Sequence, residues 1–315
     1  IFMVQDSVVT NVKFLVLGAG MAGLGAGIQA QRSGQDSLIL EATDEPGGLC
    51  QNSTIHGCDF DFGPKILILD KSDNSKDLLS FLGDNQQEYP MSESTYLSGF
   101  GLLGFPLQRH LVGLPVKERS KILKDIKYAH QHPKELKNYK DWLLNGYGKY
   151  LCEKVLIPYE EKKWQMSLDN LDYSWALSRP VKVDLDEILE GAERILPPNK
   201  VYYYPKHGNI SILSRTMADK AGPIRFGSKV TKLDLKNKVV VAAGNHFKYQ
   251  YLISSLPLNY EVSITESMPN ELVLAAQKTL QGLSIKVFNL VFNGNFDLEG
   301  TAIYFPEKRF IFRRV

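Results

Sequence analysis

Gly18-Ala19-Gly20-Met21-Ala22-Gly23, with the acidic Glu41 eighteen residues further on, has the spacing of a dinucleotide-binding loop. The three glycines serve different ends. Gly18 permits a tight turn, Gly20 lets a pyrophosphate approach the main chain, and Gly23 lets a helix pack close on a strand. Unpaired N–H groups at the helix N-terminus, Met21 and Ala22 among them, add the partial positive charge that suits phosphate. A carboxylate placed like Glu41 accepts hydrogen bonds from both ribose hydroxyls and disfavours a 2′-phosphate. The same residues could merely turn the chain and end a strand, and it is the context of the glycines that argues against this.

That context is a strand, a helix and a second strand. Val12 to Leu17 is an apolar, β-branched run that stops at the glycines and predicts a buried parallel strand. Met21 to Arg32 predicts a helix closed at Ser33-Gly34, and Ser37 to Leu40 a second strand ending in Glu41. Ile55 to Leu69 reads as further strand. From Asp77 to about Trp164 the chain is lysine-rich with helical spacing (Ile122, Ile126 and Ala129 on one face), which predicts a helical insertion with a break at Pro133 and a new helix over Trp142 to Leu156. Short β-like runs return at Val201 to Tyr204, Lys229 to Leu235, Val239 to Ala242, Tyr251 to Leu256 and Ile285 to Phe292, with a helix within Gly208 to Ala221 and strand-like character again from Tyr304 to Val315.

A chain of 315 residues exceeds the roughly 250–300 at which one core stops growing, so two domains are expected. The 37 basic and 35 acidic residues leave a formal charge of +2, which predicts no nucleic-acid partner. Cys50, Cys58 and Cys152 are odd in number and lack metal-type spacing, so they read as reduced thiols of a cytoplasmic protein. No apolar run approaches the roughly 20 residues that span a bilayer.

Beyond the first loop, Leu38-Ile39-Leu40-Glu41-Ala42, Pro46-Gly47-Gly48-Leu49-Cys50 and Phe60-Asp61-Phe62-Gly63-Pro64 resemble the amine oxidase, protoporphyrinogen oxidase and UDP-galactopyranose mutase superfamily. The resemblance spans residues 12 to 65 and implies FAD as cofactor. It implies that Gly47, Gly48 and Leu49 lie at the diphosphate and ribityl chain, and that Gly63, Pro64 and Lys65 pass the flavin ring. Lys229-Val230-Thr231 resembles the strand whose valine backbone meets adenine, and Ser254-Ser255-Leu256-Pro257 the strand returning beneath the cofactor. Mutases of this group carry a histidine after the Gly-Pro pair; Lys65 stands there instead, where its charge would stabilise anionic reduced flavin. Tyr204-Pro205-Lys206-His207-Gly208 resembles a cofactor-side turn with His207 in place of glycine. Lys65 and His207 are the candidate catalytic side chains beside the flavin itself.

On the substrate side, Gly104-Phe105-Pro106-Leu107-Gln108 is similar to a segment near the sugar site of galactopyranose mutases. Tyr159 through Lys162 to Trp164, followed by Arg179, is similar to their Tyr-Thr-x-Lys-x-Trp stretch. Phe105, Pro106, Gln108, Tyr159, Lys162, Trp164, Arg179 and Tyr204 are therefore the expected substrate contacts, with Trp164 and Tyr159 stacking on a ring and Lys162 and Arg179 meeting diphosphate charge. The competing reading makes these aromatics a domain core under a solvated face.

The expected fold is α/β: a Rossmann-like, doubly wound FAD-binding domain with a parallel sheet (1–70 and 200–260), interleaved with an α+β substrate domain and helical insertion (71–199 and 261–315). The resemblance also implies a further C-terminal FAD-domain segment that this sequence does not contain. The expected function is an FAD-dependent oxidoreductase taking hydride from a small molecule. The alternatives are a mutase-like flavoenzyme acting on a nucleotide sugar in polysaccharide biosynthesis, and a non-catalytic binding protein of the GDP-dissociation-inhibitor type. A homo-oligomer is compatible with the lysine-rich helices.

Overall fold

The computed structural model describes residues 9–177, 184–197, 200–294 and 300–315. In chain order its main elements are β1 (Val9–Leu17), α1 (Met21–Arg32), β2 (Ser37–Leu40), β3 (Asn52–Ile55), β4 (Cys58–Asp61), α2 (Asp73–Ser80), β5 (Gln86–Pro90), β6 (Glu93–Leu97), β7 (Gly101–Gly104), α3 (Val116–Gln131), α4 (Tyr139–Leu151) and α5 (Ile157–Trp164). There follow α6 (Ser174–Leu177), α7 (Leu185–Glu193), β8 (Val201–Pro205), α8 (Ser211–Ala218), β9 (Ile224–Arg225), β10 (Val230–Asp234), β11 (Val239–Ala242), β12 (Asn245–Ser254), α9 (Leu258–Ile264), α10 (Asn270–Thr279) and β13 (Ala302–Tyr304). They form two compact units, Ile1–Tyr89 with Tyr202–Val291, and Pro90–Val201 with Phe292–Val315.

The first unit is a Rossmann-like α/β domain around a sheet of order β10-β11-β12-β1-β2-β9. β12, β1, β2 and β9 run parallel, while β10, β11 and β12 form an antiparallel meander. Leu15, Val16 and Leu17 are fully buried, which is why β1 reads as an unbroken apolar run rather than an alternating one. Side-chain alternation splits them between two cores. Val16 and Ile39 join Leu24 and Ile28 of α1 and Leu213 and Met217 of α8. Leu15, Leu17 and Leu40 join Val230, Leu233, Val240 and Phe247 of the meander. Each such side chain removed from water contributes about 1.5–3 kcal/mol. Helices α1 and α8 cover one face, and on the other Leu15, Leu17 and Leu40 share a core with the meander strands of the same sheet and Ile264 of α9.

This unit extends past residue 70. Arg32 of α1 makes a bidentate ion pair with Asp77 of α2 at 2.7 and 2.8 Å, and Leu78, Phe81 and Leu82 enter the α1 core. Likewise α9 belongs here rather than with the substrate domain, since Ile264 joins the meander core and the Glu266 N–H donates to the Leu233 carbonyl at 2.7 Å.

The second unit is α+β. Its sheet has the order β13-β6-β7, and its core draws on Leu97, Leu103, Leu111, Ile122, Ile126, Leu143, Leu151 and Ile188. The face of α3 foreseen from spacing is the buried one, with Ile126 fully enclosed. α4 runs through a π-helical turn at Cys152–Leu156 into α5.

Three expectations are corrected. Residues 86–104 are strands, not the start of a helical insertion; Glu93–Leu97 alternates toward the buried Thr95 and Leu97, and Gly99 and Gly101 at φ +85° and +80° turn it into β7. Regular strand in the 55–69 stretch ends at Asp61, after which only Leu67 pairs, with Tyr203. Ile285 to Phe292 is not a strand: no described neighbour takes up its backbone bonds, and Ile285 and Phe288 are each 79% exposed.

Candidate functional site

The carboxyl ends of β1 and β2 bring the glycine loop and Glu41 together. The Gly18 N–H donates to the Leu40 carbonyl at 2.8 Å, and the Ala19 N–H donates to Glu41 Oε2 at 2.7 Å. Glu41 Oε1 accepts from the N–H and hydroxyl of Thr43, both at 2.9 Å. The carboxylate is 9% exposed and held by three donors, so its orientation is fixed before any ligand arrives.

Two glycines show how little room there is. A Cβ on Gly23 would stand 1.8 Å from the Gly18 carbonyl oxygen, so only glycine lets α1 start this close to the loop. Gly47, at φ +120°, would place a Cβ 2.6 Å from Ser214 Oγ, while its N–H donates to the Ala19 carbonyl at 2.8 Å. The Gly47-Gly48 turn therefore buttresses the first loop through the main chain. α1 has no side-chain cap and no acidic residue in its first turn, which leaves its N–H groups to an anion. Beyond Glu41 opens a cavity of about 510 Å³ lined by Gly18, Glu41, Ala42, Lys229, Val230 and Tyr260 among others. Loop, helix end, carboxylate and cavity together fit a dinucleotide.

The other expected cofactor residues divide. Ser255 lies under the loop, its hydroxyl donating to the Leu17 carbonyl at 2.8 Å, so it holds the turn in place. Leu49 is 72% exposed beside Gly48. Lys65, just after Gly63-Pro64, lies near the half-buried Cys50; burial pushes the Cys50 thiol up, with Lys65 opposing and Asp61 reinforcing. Tyr204 belongs to this unit and not with the substrate aromatics. Its hydroxyl donates to Asp61 at 2.5 Å, and burial first, then Asp61, drives the phenol pKa far up. His207 is exposed; its main chain is clasped by the Asn85 side chain, and neither ring nitrogen has a partner among the described residues.

In the second unit, Phe105 stacks on Tyr304 with centroids 4.0 Å apart, and Tyr159 meets Tyr304 edge-on at 5.8 Å. Arg313 reaches the Tyr159 hydroxyl at 3.3 Å and Arg314 the Tyr304 hydroxyl at 3.4 Å, each guanidinium also lying over the ring concerned. The Tyr304 hydroxyl donates to Glu93 at 2.5 Å. Burial holds both phenols above their ordinary pKa. Neither arginine has a carboxylate partner among the described residues. This group can receive an anion alongside a flat ring.

Several expected substrate contacts are otherwise engaged. Lys162 donates to the carbonyls of Phe305 and Glu307, both at 2.7 Å, and of Phe312 at 3.3 Å, so its charge staples the C-terminal strand region instead of meeting diphosphate. Trp164 packs against Trp175 with centroids 5.3 Å apart and bonds Glu160 at 2.9 Å, which makes it part of the core. Pro106 follows a cis peptide bond from Phe105. Gln108 hydrogen-bonds Tyr147 while its Oε1 is buried without a partner. Arg179 lies outside the described residues. Tyr304, Arg313 and Arg314 were not singled out from the sequence; the adjacent arginines after the aromatic Phe310 and Phe312 are the one local signal that pointed there.

Among the described residues no His, Cys, Asp and Glu group could hold a metal, and no helix is long and apolar enough to cross a membrane. The three cysteines are free.

The first unit thus carries a Rossmann-like dinucleotide-binding segment. Residues 16–82 match the NAD(P)-binding Rossmann-like domain family. A zeta-carotene-forming phytoene desaturase of Myxococcus xanthus is 35% identical over 57 residues, 18% of this chain and 11% of that protein; the chain spans only that small part of the relative's length. Among solved structures, reduced UDP-galactopyranose mutase superposes with a TM-score of 0.82 at 19% identity, over 96% of this chain and 69% of the mutase chain. Putrescine oxidase bound to putrescine gives 0.55 at 16% identity, over 86% of this chain and 64% of that one. At these identities the structural likeness shows a shared fold.

Proposed function

We propose that this chain binds FAD and a nucleotide sugar and belongs to a mutase-like flavoenzyme. The observation that carries the reading is the pair of arginines in the second unit, Arg313 and Arg314, each set against a buried tyrosine hydroxyl and without a carboxylate partner among the described residues. Two adjacent guanidinium groups suit a diphosphate, which they can take through paired N–H donors. Beside them the half-buried Tyr159 can offer a ring to a base or sugar, while Tyr304, 6% exposed and stacked on Phe105, backs it from the core. A hydrocarbon substrate would leave both charges unanswered at a cost in desolvation. The likeness to a desaturase does not weigh against this, because it covers only 57 residues.

In the first unit the glycine loop and the free end of α1 would take the FAD diphosphate, and Glu41 the adenosine ribose. FAD, when bound, would supply either hydride acceptance by the oxidised ring or, once reduced, a nucleophilic N5. Lys65 would place positive charge where the reduced ring is anionic. That lysine, standing where mutases of this kind carry histidine, favours a second reading: a flavin-dependent oxidation of a small molecule.

Binding measurements separate the two. The FAD-loaded protein is expected to retain its visible bands through desalting and to bind UDP in titration calorimetry, with binding lost on Arg313→Ala plus Arg314→Ala. Retained flavin without UDP or UDP-galactose binding would overturn the nucleotide-sugar reading and leave the oxidation. A colourless protein that cannot take up FAD would overturn both.

A further inference from the structure

We infer that Tyr260, assisted by Lys229, is an affinity clamp for the adenosine end of the dinucleotide. The inference rests on the cofactor reading above and goes beyond it by assigning side chains that no part of the dinucleotide fingerprint contains.

The glycine loop fixes the diphosphate and Glu41 the ribose, so the base must lie further along, in the cavity beyond Glu41. Its walls are mostly apolar, formed by Leu40, Val230, Leu256, Pro257 and the ring of Tyr260. Among the described residues Glu41 is its only carboxylate and Lys229 its only cation. Tyr260 reaches this cavity from α9. It is held there by its own hydroxyl, which donates to the Val230 carbonyl at 2.7 Å, so the ring's position is tied to the neighbouring strand β10 that also lines the cavity. The Lys229 ammonium lies 5.8 Å from the Tyr260 ring centroid and makes no ion pair among the described residues. A flat, uncharged, electron-rich base fits a slot with an aromatic wall and a nearby unpaired cation. The loop and carboxylate can hold a ribose diphosphate; the ring adds a stacking face for the base that the ribose carries.

The test uses ADP as a probe beside FAD, with calorimetric or fluorescence titration of the unliganded protein. Removing a base-stacking ring costs about ten- to a hundredfold in affinity. Tyr260→Ala is therefore expected to weaken ADP and FAD by the same factor, because both carry adenosine. Tyr260→Phe keeps the ring and loses only the tether to Val230, with an expected loss of about two- to tenfold. Lys229→Met is expected to weaken both ligands by about threefold, least at high salt. Thermal melting of each variant reports its folding, and Tyr260→Phe carries the test if Tyr260→Ala does not fold. Equal affinity of wild type and both Tyr260 variants for ADP would overturn the clamp while leaving the cofactor reading intact. Failure of the wild type to bind either ligand would instead overturn the cofactor reading itself.

Discussion

The nucleotide end of the first unit and the aromatic–arginine group of the second are built from different materials. The first is made by main chain: loop amides, a helix terminus, glycines whose absent Cβ atoms are the working feature, and one carboxylate locked by backbone donors. The second is made by side chains that arrive from Phe105, Tyr159, Tyr304, Arg313 and Arg314. A main-chain site demands one spacing of glycines and tolerates little change. A side-chain site can be assembled from many sequences and altered one residue at a time.

The strongest way to break this contrast is Gly23→Ala. Its Cβ would lie 1.8 Å from the Gly18 carbonyl oxygen, a backbone atom. Loop and helix must part, and forced overpacking of about 1–3 kcal/mol or more falls on the phosphate site itself. The expected result is at least a hundredfold loss of FAD affinity, about 2.7 kcal/mol, read from visible absorbance after desalting. A variant that stays as yellow as the wild type would show that the loop has more freedom than its geometry states.

Next in size is the side-chain site. Arg313→Ala or Arg314→Ala alone should remove one charge-assisted contact, about 1.5–3 kcal/mol, or roughly ten- to a hundredfold in UDP affinity, with FAD affinity unchanged. Loss of both ligands together would mean that the two sites are not separable. Lys162→Met tests a residue that its sequence context assigned to substrate and its contacts assign to structure. It should leave three carbonyls without their donor and cost about 1–3 kcal/mol in denaturant unfolding, with UDP affinity in the folded protein retained.

These differences explain what was legible beforehand. β1, α1, β2, the glycine loop and Glu41 follow from a spacing rule that has a mechanical cause, and α1 occupies Met21–Arg32 as expected. The meander was visible as strands but not as an extension of the β1–β2 sheet, because side-chain alternation does not say which strands pair. Lys162 and Trp164 show the limit for side-chain sites. Their types suited a nucleotide, yet Lys162 found three carbonyls and Trp164 found Trp175, and only the fold decides between such partners. Tyr260 was invisible for the same reason, since its role depends on a hydrogen bond to a strand thirty residues earlier.

The smallest expected effect concerns acid, and it divides the two units by pH. In the second unit, burial and then the neighbouring Arg109 lower the His110 pKa from its ordinary 6.5, with Glu187 opposing. The unfolded chain takes up that proton first. The stability contributed by neutral His110 is therefore complete above 6.5 and is lost as pH falls from there through the folded value. In the first unit, hydrogen bonds from Arg32 lower Asp77 from 3.8, so its contribution persists down to 3.8 and fades only in stronger acid. Hydrogen exchange corrected for intrinsic rates should show residues packed around His110 losing protection as pH falls below 6.5, while α1 and α2 remain protected down to 3.8. His110→Gln should abolish the early loss. Simultaneous loosening of both units, or loosening of the first before the second, would show that the half-buried imidazole does not distinguish them.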